Sequence, residues 1–457
     1  MDDPKKRQRA ALMRDHNFKW LLRGGVISML GDQLTMVALP WLVLKLTGDT
    51  LALGFVIALM SIPRAVFILI GGAVVDRYSP KRVLMLSKYA NAVLLGVLTL
   101  LVLNNQPTLT LALSDSLSLT VDMNAHLTLM LIYVLAFGIG LAQAFGIPSG
   151  TSIMPQAIAA EHLQAANGVL MGLRQVSMLI GPLLAAGLLA ISGSGGGSGA
   201  DGVVADARGL AFAFGFDCLS FLVSAWTLSK VGMLKAPEHN EAPQSVLRSV
   251  GAGLAMVWND VPLRLCFIYW GTVSLFIGGA MQVALPVLAS EKLHGASAFG
   301  LLMGANGAGM LLGMAVAAVA GARLRFASFG TVLLVGDAIA GVLVMPLGAV
   351  QAPWQACALM LALGLLSGYM QINVFTWIQR RVPPHMMGRA MSIFMFIFMG
   401  LAPLSAAGAG WVLTRISLSQ LFFGGGIILV VFATLAYLLT PIRSISSDNT
   451  ANTPQPQ

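Results

Sequence analysis

Long apolar runs, separated by short polar or basic stretches, make up most of this 457-residue chain. Many reach the length of about 20 residues that an α-helix needs to cross a ~30 Å hydrocarbon core. They do not alternate apolar and polar residues as the strands of a membrane barrel do. The pattern predicts twelve transmembrane helices, at about 18–46, 51–75, 82–103, 126–149, 164–192, 209–233, 263–290, 298–321, 326–349, 353–379, 386–414 and 419–440.

The composition agrees with a membrane location. Hydrophobic residues make up 57% of the chain and charged residues only 10%, whereas soluble domains carry about 25% charged residues. The first apolar run is too long for a cleaved signal peptide and similar runs follow it, so we expect it to remain in the mature protein. The sequence therefore predicts a multi-pass protein of the cell (inner or plasma) membrane.

A short repeat divides the chain into halves. Val37–Pro40 and Val283–Pro286 both read Val-Ala-Leu-Pro, at an offset of 246 residues, and Gly181-Pro182 matches Ala402-Pro403 at an offset of 221. Many membrane transporters are built from internal repeats. We therefore expect an all-α integral membrane fold with two pseudo-symmetric six-helix bundles. The expected segments are a basic N-terminus (1–17), a first bundle (18–233), a linker (234–262), a second bundle (263–440) and a polar tail (441–457).

Basic residues set the expected orientation, because Lys and Arg near helix ends stay on the cytoplasmic side. With the N-terminus inside, most of the 27 Lys and Arg residues, Lys88 among them, fall on the cytoplasmic side, and both termini are cytoplasmic. Topology then explains the net charge of +9, and no nucleic-acid partner is needed. Membrane lipids are expected partners, since the basic cluster at 5–7 can contact anionic headgroups.

Several other kinds of site are not supported. The glycine-rich segment 192–202 lacks the Lys-Ser or Lys-Thr of a P-loop and has the composition of a flexible linker. The segment between the halves is too short for a nucleotide-binding domain, so transport must draw on an ion gradient, a substrate gradient or a partner chain. No HExxH or GxSxG motif occurs, and the three cysteines lack metal-ligand spacing. We expect no enzyme activity, no metal and no cofactor.

The most specific motif follows the second apolar run. Residues 71–83 read Gly-Gly-Ala-Val-Val-Asp-Arg-Tyr-Ser-Pro-Lys-Arg-Val, which resembles the signature loop of the major facilitator superfamily. Within that family, residues 28–41 resemble the macrolide-efflux and enterobactin-exporter branch, which is drug:proton antiporter-like. The resemblance covers about residues 18–440. It implies a secondary transporter that works by alternating access, and we expect a monomer.

The resemblance also implies a cytoplasmic gate in this loop, formed by Gly72, Asp76, Arg77, Lys81 and Arg82. Asp76 would hold the halves together through neighbouring basic residues. A carboxylate at the membrane edge can accept hydrogen bonds from a helix N-terminus and pair with arginine. A second interpretation stays open, in which the basic residues of the loop only anchor the topology.

Charged residues within apolar runs are costly in hydrocarbon and usually face a cavity or a partner. Asp32 and Arg64 fall at similar predicted depths on adjacent helices, so they are the candidates for proton coupling. A structural ion pair and a substrate contact are the alternatives. Exporters of this superfamily often carry an Arg in the fourth span, and its absence here weighs against proton antiport. Asp217 and Asp337 lie on spans that are peripheral in the superfamily, which implies that they are structural or that they snorkel towards the membrane edge.

The fifth apolar run contains a Gly-Pro pair that the resemblance associates with antiport. Gly181, Pro182 and Pro403 are the hinge candidates, because proline removes a backbone hydrogen bond and small residues let helices approach closely. A simple packing kink is the alternative. The candidates for the cavity or the substrate site are Arg174, Gln175, Gln282, Asn306, Gln371 and Asn373.

The predicted function is export of amphipathic or lipophilic small molecules, drug-like or siderophore-like, coupled to protons. The 25 Met and 21 Phe residues favour an adaptable apolar cavity. An importer or a lipid or lysophospholipid flippase on the same fold is the alternative.

Overall fold

The computed structural model describes residues 11–77, 79–103, 108–114, 117–122, 125–192, 207–233, 246–293, 295–320, 328–383 and 386–445. The chain divides into two compact units. The first comprises Met1–Ala242 with Gly295–Gly300, and the second comprises Pro243–His294 with Leu301–Gln457.

The described part of the first unit contains six long helices: α1 (His16–Thr47), α2 (Thr50–Arg77), α3 (Pro80–Leu103), α4 (Ala125–Ala157), α5 (Leu163–Ser192) and α6 (Ala207–Ser229). α1 begins where the Asp15 carboxylate accepts a hydrogen bond from the backbone N–H of Phe18. It ends at Gly48, whose φ of 63° is readily adopted only by glycine. An α-helix satisfies its backbone groups through its own hydrogen bonds, and the apolar side chains of these helices suit hydrocarbon.

A β-hairpin between α3 and α4 departs from the all-α expectation. Strand β1 (Thr108–Ser114) pairs with antiparallel strand β2 (Leu117–Asp122). In this register Leu109 lies opposite Val121, and Leu111 lies opposite Leu119. The segment alternates apolar and polar residues with the period of two that suits a pleated strand, and it is too short to span the membrane.

The helices after the first unit's α6 are α7 (Val246–Asn259), α8 (Val261–Val273), α9 (Ala280–Glu291), α10 (Ala296–Ala320), α11 (Phe329–Val344), α12 (Pro353–Arg381), α13 (Met387–Phe396), α14 (Ala402–Leu413) and α15 (Leu418–Leu439). Two predicted spans contain a π-helical turn. Ser274–Gly278 joins α8 to α9, and Ile397–Leu401 joins α13 to α14. Such turns widen the helix locally and are frequent at functional sites.

Within the described residues, eleven helical stretches are long and apolar enough to cross a membrane. In α2 the described side chains of the apolar stretch cover Thr50–Arg64, which is shorter than a full span. The expectation of many membrane-spanning helices is therefore confirmed for eleven of them. The twelfth span, α2, remains a prediction.

Asn17 fastens three helices together at one end of the first unit. Its Nδ2 donates to Ala157 O at 2.8 Å, at the end of α4, and to Gly232 O at 2.9 Å, just after α6. Gly232 N donates back to Asn17 Oδ1 at 2.8 Å. Asn17 is buried, so these bonds replace the water that its amide and the two carbonyls would otherwise bind.

The core of the second unit is aromatic. Trp270 packs edge-on against Trp377 and Phe394, with ring centroids 6.3 Å and 5.4 Å apart. Phe329 stacks on Trp377 at 4.7 Å. These rings bury a large apolar area between α8, α11, α12 and α13.

Candidate functional site

Asp32, at the middle of α1, is linked to Arg64 of α2 by a glutamine of α4. Gln143 Nε2 donates to Asp32 Oδ1 at 3.3 Å, and Arg64 Nη1 donates to Gln143 Oε1 at 3.1 Å. The structure therefore brings the two proton-coupling candidates together through a third residue. Among the described residues Arg64 Nε is buried with no hydrogen-bond partner, so this chain of side chains retains one unused donor.

Lys88 of α3 brings a second positive charge into the same region. Its Nζ donates to Ser28 Oγ of α1 at 3.4 Å and lies 5.4 Å from the ring centroid of Phe221 on α6. Lys88, Arg64 and Arg174 all interact electrostatically with Asp32. Lys88 belongs to the residues predicted on the cytoplasmic side, and its ammonium contacts α1 and α6 within the unit.

Asp217 of α6 packs directly against α1 and is only 1% exposed. Thr35 Oγ1 donates to its Oδ2 at 2.5 Å, and Ser220 Oγ donates to its Oδ1 at 3.0 Å. A Cβ atom at Gly31 would overlap this carboxylate, so only glycine allows α1 and α6 to approach this closely here. Asp217 therefore lies against the residue that precedes Asp32.

The candidates on α5 fall into two groups. Arg174 is exposed and Gln175 is partly buried. Gly181 and Pro182 are buried, and a Cβ atom at Gly181 would overlap the side chain of Gln33 on α1. Gly181 thus sets a close α1–α5 contact, while Arg174 remains accessible on the same helix.

Only two of the five gate candidates have side chains that are described. The side-chain surroundings of Gly72, Asp76 and Arg77 lie outside the described part of the structure. Lys81 Nζ donates to Ser229 O at 3.1 Å and to Val231 O at 2.7 Å, at the end of α6, where a positive charge is favourable. Arg82 is exposed.

The four polar candidates of the second unit differ in their surroundings. Gln282 is exposed and Gln371 is partly buried. Asn306 Nδ2 donates to Met360 O at 3.3 Å and so links α10 to α12. Asn373 Nδ2 donates to Tyr369 O at 2.8 Å, one turn earlier on its own helix. The two asparagines therefore contribute to helix structure, and the two glutamines remain predicted substrate contacts.

Pro403, the third hinge candidate, is buried directly after the π-helical turn Ile397–Leu401. Ser274 Oγ, in the other π-helical turn, donates to Ile397 O at 2.9 Å. A Cβ atom at Gly279 would overlap the backbone of Ala402. The two irregular turns therefore meet in the interior of the second unit, supported by a glycine contact and one hydroxyl.

The second unit has one carboxylate within a predicted span. Tyr269 Oη donates to Asp337 Oδ2 at 2.8 Å. At a helix end of this unit, Arg381 Nε lies 2.9 Å from Asp260 Oδ2 and forms an ion pair with it. In the described residues we find no cluster of three His, Cys, Asp or Glu side chains that could hold a metal. An apolar groove of about 300 Å³ between α11 and α15 is lined by Val335, Ala338, Ile339, Val342, Leu343 and Val430 and carries no charge.

Sequence reasoning missed Gln143, Lys88 and Asn17. Gln143 was missed because it is neutral and candidates in the spans were chosen mainly by charge. A polar amide inside an apolar run is nevertheless a signal of a buried contact. Lys88 lies close enough to a loop to resemble an end residue, and only the fold shows where its long side chain reaches. No sequence pattern indicates that Asn17 forms hydrogen bonds with Ala157 and Gly232.

Comparisons with known proteins give matches over most of the chain. The model of the Major Facilitator Superfamily matches residues 21–407. The multidrug efflux pump Tap of Mycobacterium tuberculosis (strain ATCC 25618 / H37Rv) is 25% identical over 433 residues, which cover 93% of this chain and 94% of that protein. The enterobactin exporter EntS of Escherichia coli O81 (strain ED1a) is 24% identical over 381 residues, with coverages of 83% and 81%.

Solved structures show the same fold. A bacterial homologue of the iron transporter ferroportin, in an inward-facing state, matches with a TM-score of 0.65 at 14% identity and covers 91% of this chain and 97% of its own. The xylose transporter XylE from E. coli, in an inward-open conformation, matches with a TM-score of 0.65 at 13% identity, with coverages of 93% and 96%. At such identities the likeness concerns the fold alone.

Proposed function

We propose, from the premise that this chain belongs to the Major Facilitator Superfamily, that it exports amphipathic or lipophilic small molecules in exchange for protons. The chain is a multi-pass protein of the inner membrane, and its relatives are transporters and not enzymes. Two relatives that cover most of it are named a multidrug efflux pump and an enterobactin exporter. These names support export over import and favour organic substrates.

The observation that carries the proposal is the Asp32–Gln143–Arg64 chain. A carboxylate in the middle of a membrane helix is costly unless it is balanced or functional. Here Asp32 receives a hydrogen bond from Gln143 and the field of nearby cations. A proton on Asp32 removes the negative charge that holds these groups, so α1, α2 and α4 are free to change their packing. Proton binding is thereby coupled to the conformation of the unit.

We further propose that both termini are cytoplasmic and that the loop around Asp76 forms the gate on that side. The two bundles, 18–233 and 263–440, would move as bodies during alternating access, with Gly181, Pro182 and Pro403 in the deformable helices. The exposed Arg174 and the partly buried Gln175 on α5 are the substrate candidates of the first bundle, and Gln282 and Gln371 are those of the second. Few fixed charges among them suit lipophilic substrates.

The decisive experiment uses purified protein in liposomes with an imposed pH gradient and a panel of lipophilic dyes and drugs. We expect the wild type to move a compound against its gradient when the opposite side is acidic. Asp32→Asn keeps the size of the side chain but holds no titratable proton, so transport driven by the pH gradient is lost. Asp49→Asn is the matched control, because Asp49 is exposed and caps α2 through Leu51 N, which asparagine also does.

Two results would contradict the proposal. Transport that ignores the pH gradient in the wild type, or that survives unchanged in Asp32→Asn, removes proton coupling through this residue. Everted membrane vesicles test the direction, since an exporter accumulates the compound in them while an importer depletes it. Movement of labelled phospholipid without movement of any compound would indicate a flippase instead.

A further inference from the structure

Lys88 of α3 contacts both helices of the first unit that carry an Asp within a predicted span, α1 with the partly buried Asp32 and α6 with the buried Asp217. Asp32 and Asp217 both interact electrostatically with Lys88, which donates its hydrogen bond to Ser28. Ser28 is one helical turn before Gly31 and Asp32 on α1, and Gly31 contacts Asp217. The ammonium therefore contacts Ser28 and Phe221, and each of these lies four residues from the carboxylate on its own helix.

The two carboxylates of this region have different immediate partners. Arg64 is held towards Asp32 through Gln143, whereas Asp217 is enclosed by two hydroxyls, of Thr35 and Ser220. Hydroxyl groups satisfy lone pairs but supply no positive charge, and an uncompensated buried charge is strongly unfavourable. Lys88 is the cation that acts on Asp217.

The surroundings of Asp217 contain few other charges. α1 contributes Asp32, α3 contributes Lys88, and the charged residue of α5, Arg174, acts on Asp32. Lysine suits an intermediate position, because its ammonium sits on a flexible four-carbon chain and has three donors. Phe221, 5.4 Å from the ammonium, offers a ring face that holds the cation between its partners.

We propose that Lys88 is a shared counter-ion that pairs in turn with Asp32 and Asp217, which makes Asp217 a second proton-binding carboxylate of this unit. When Asp32 takes a proton from water, Lys88 moves towards Asp217 and stabilises its ionised form, so Asp217 releases its proton to water. When Asp32 loses its proton, Lys88 returns and Asp217 is protonated again. The inference rests on the proposed proton coupling and extends it to a two-site relay, with Lys88 as a positioning residue.

The first test is spectroscopic and needs no transport. Infrared difference spectra of the purified full-length protein, recorded as a function of pH, detect the C=O stretch of protonated carboxyl groups. We expect one band that disappears in Asp32→Asn and another that disappears in Asp217→Asn. In Lys88→Met the pH at which each band appears should rise for both carboxyls, because removing a positive charge favours the protonated form. Lys88→Arg should restore both midpoints, and Lys45→Met, an exposed lysine over Trp41, should leave them unchanged.

Two spectroscopic results overturn the proposal: a Lys88→Met variant that shifts the Asp32 band alone, and an Asp217 band that does not respond to pH. If Asp217→Asn does not fold, Asp217→Ser is used instead to assign the Asp217 band. Serine has no carboxyl group but keeps an oxygen that can accept hydrogen bonds from Thr35 and Ser220.

The second test is the pH profile of transport in liposomes. Lys88→Met should move the profile in the same direction as the infrared midpoints, and Lys88→Arg should restore it. A lost maximal rate with an unmoved profile would mean that Lys88 is only structural, which contradicts the inference. If transport ignores the pH gradient while the two bands remain coupled through Lys88, the shared counter-ion stands and the proposed antiport fails.

Discussion

One helix crossing is shared by the two units, but the glycine that permits it lies on a different helix of the pair in each unit. In the first unit Gly181 of α5 makes room for Gln33 of α1, and in the second Gly279 of α9 makes room for Ala402 of α14. The repeat offsets of 246 and 221 residues relate Gln33 to Gly279 and Gly181 to Ala402. The contact is therefore retained between the halves although the glycine has changed helices.

A second crossing is also shared by the two units, here with the glycine on corresponding helices. A Cβ atom at Gly140 of α4 would overlap Met60 O of α2, and one at Gly364 of α12 would overlap Asn306 O of α10. Met60 and Asn306 are again 246 residues apart. Backbone contact of this kind depends on glycine, because without a hydrophobic driving force helices associate through close van der Waals packing.

The chemistry placed on these crossings differs. In the first unit, Asp32, Arg64 and Gln143 lie beside these crossings. The repeat puts Gly278 and Met310 at the positions of Asp32 and Arg64. Ser367 follows Gly364 by three residues, as Gln143 follows Gly140. Gly278 ends a π-helical turn, whereas α1 runs as a continuous helix through Asp32. The second unit has irregular backbone where the first has charge, so the scaffold is shared and the charged side chains at these positions are not.

The largest expected effect comes from filling a crossing. In Gly140→Val the new side chain overlaps the backbone of Met60, so α2 and α4 must separate, and we expect a loss of about 3 kcal/mol in stability. Gly150→Val on the same helix is the control, since nothing lies within 4 Å of a Cβ there. Thermal unfolding in detergent measures the difference. If the crossings are equivalent, Gly364→Val costs as much as Gly140→Val, and a mild Gly364→Val would break the comparison.

A smaller effect on stability but a specific one on transport is expected from Gln143→Leu. Leucine has a similar size and removes the link between Asp32 and Arg64. Losing charge-assisted hydrogen bonds of this kind costs about 1.5–3 kcal/mol, or roughly tenfold or more in an equilibrium. We expect transport driven by a pH gradient to fall by about that factor.

The control for Gln143→Leu is Ser367→Ala in the second unit, which should leave transport driven by the pH gradient unchanged. Equal losses in both variants would mean that proton coupling does not reside in the first unit alone. A Gln143→Leu protein with wild-type transport would show that Asp32 works without the bridge.

The sequence was sufficient for the parts of the fold that depend on period and composition. The length of the apolar runs predicts the spans, the 71–83 motif indicates the family, and the Val-Ala-Leu-Pro repeat indicates the duplication. The family match confirms the resemblance. Asp32 and Arg64 could be selected because charge in an apolar run is rare. Their partner Gln143 could not, since a neutral amide gives a weak signal and the link depends on the crossing angle of three helices.

Local irregularities also escaped prediction. Nothing in the apolar runs 263–290 and 386–414 distinguishes the π-helical turns from ordinary helix, because each adds one backbone step without changing composition. The β-hairpin has a detectable sequence signal, the alternation of apolar and polar residues with a period of two. The segment is short and lies between two long helical runs, so this signal is easily overlooked. The surroundings of Lys88 depend on where a flexible chain of four carbons points, and no sequence pattern encodes that direction.

The smallest expected effects are in the second unit, at Tyr269 and Asp337. Tyr269→Phe removes the hydroxyl that donates to Asp337 Oδ2. Hydrogen bonds between membrane helices contribute about 0.6 kcal/mol on average, so we expect a barely lowered unfolding temperature and unchanged transport. Asp337→Asn should keep the wild-type response to a pH gradient, because the group lies outside the Asp32–Gln143–Arg64 chain. A pH profile altered by Asp337→Asn to the same extent as by Asp32→Asn would place proton chemistry in both units. The difference between the units would then be one of packing only.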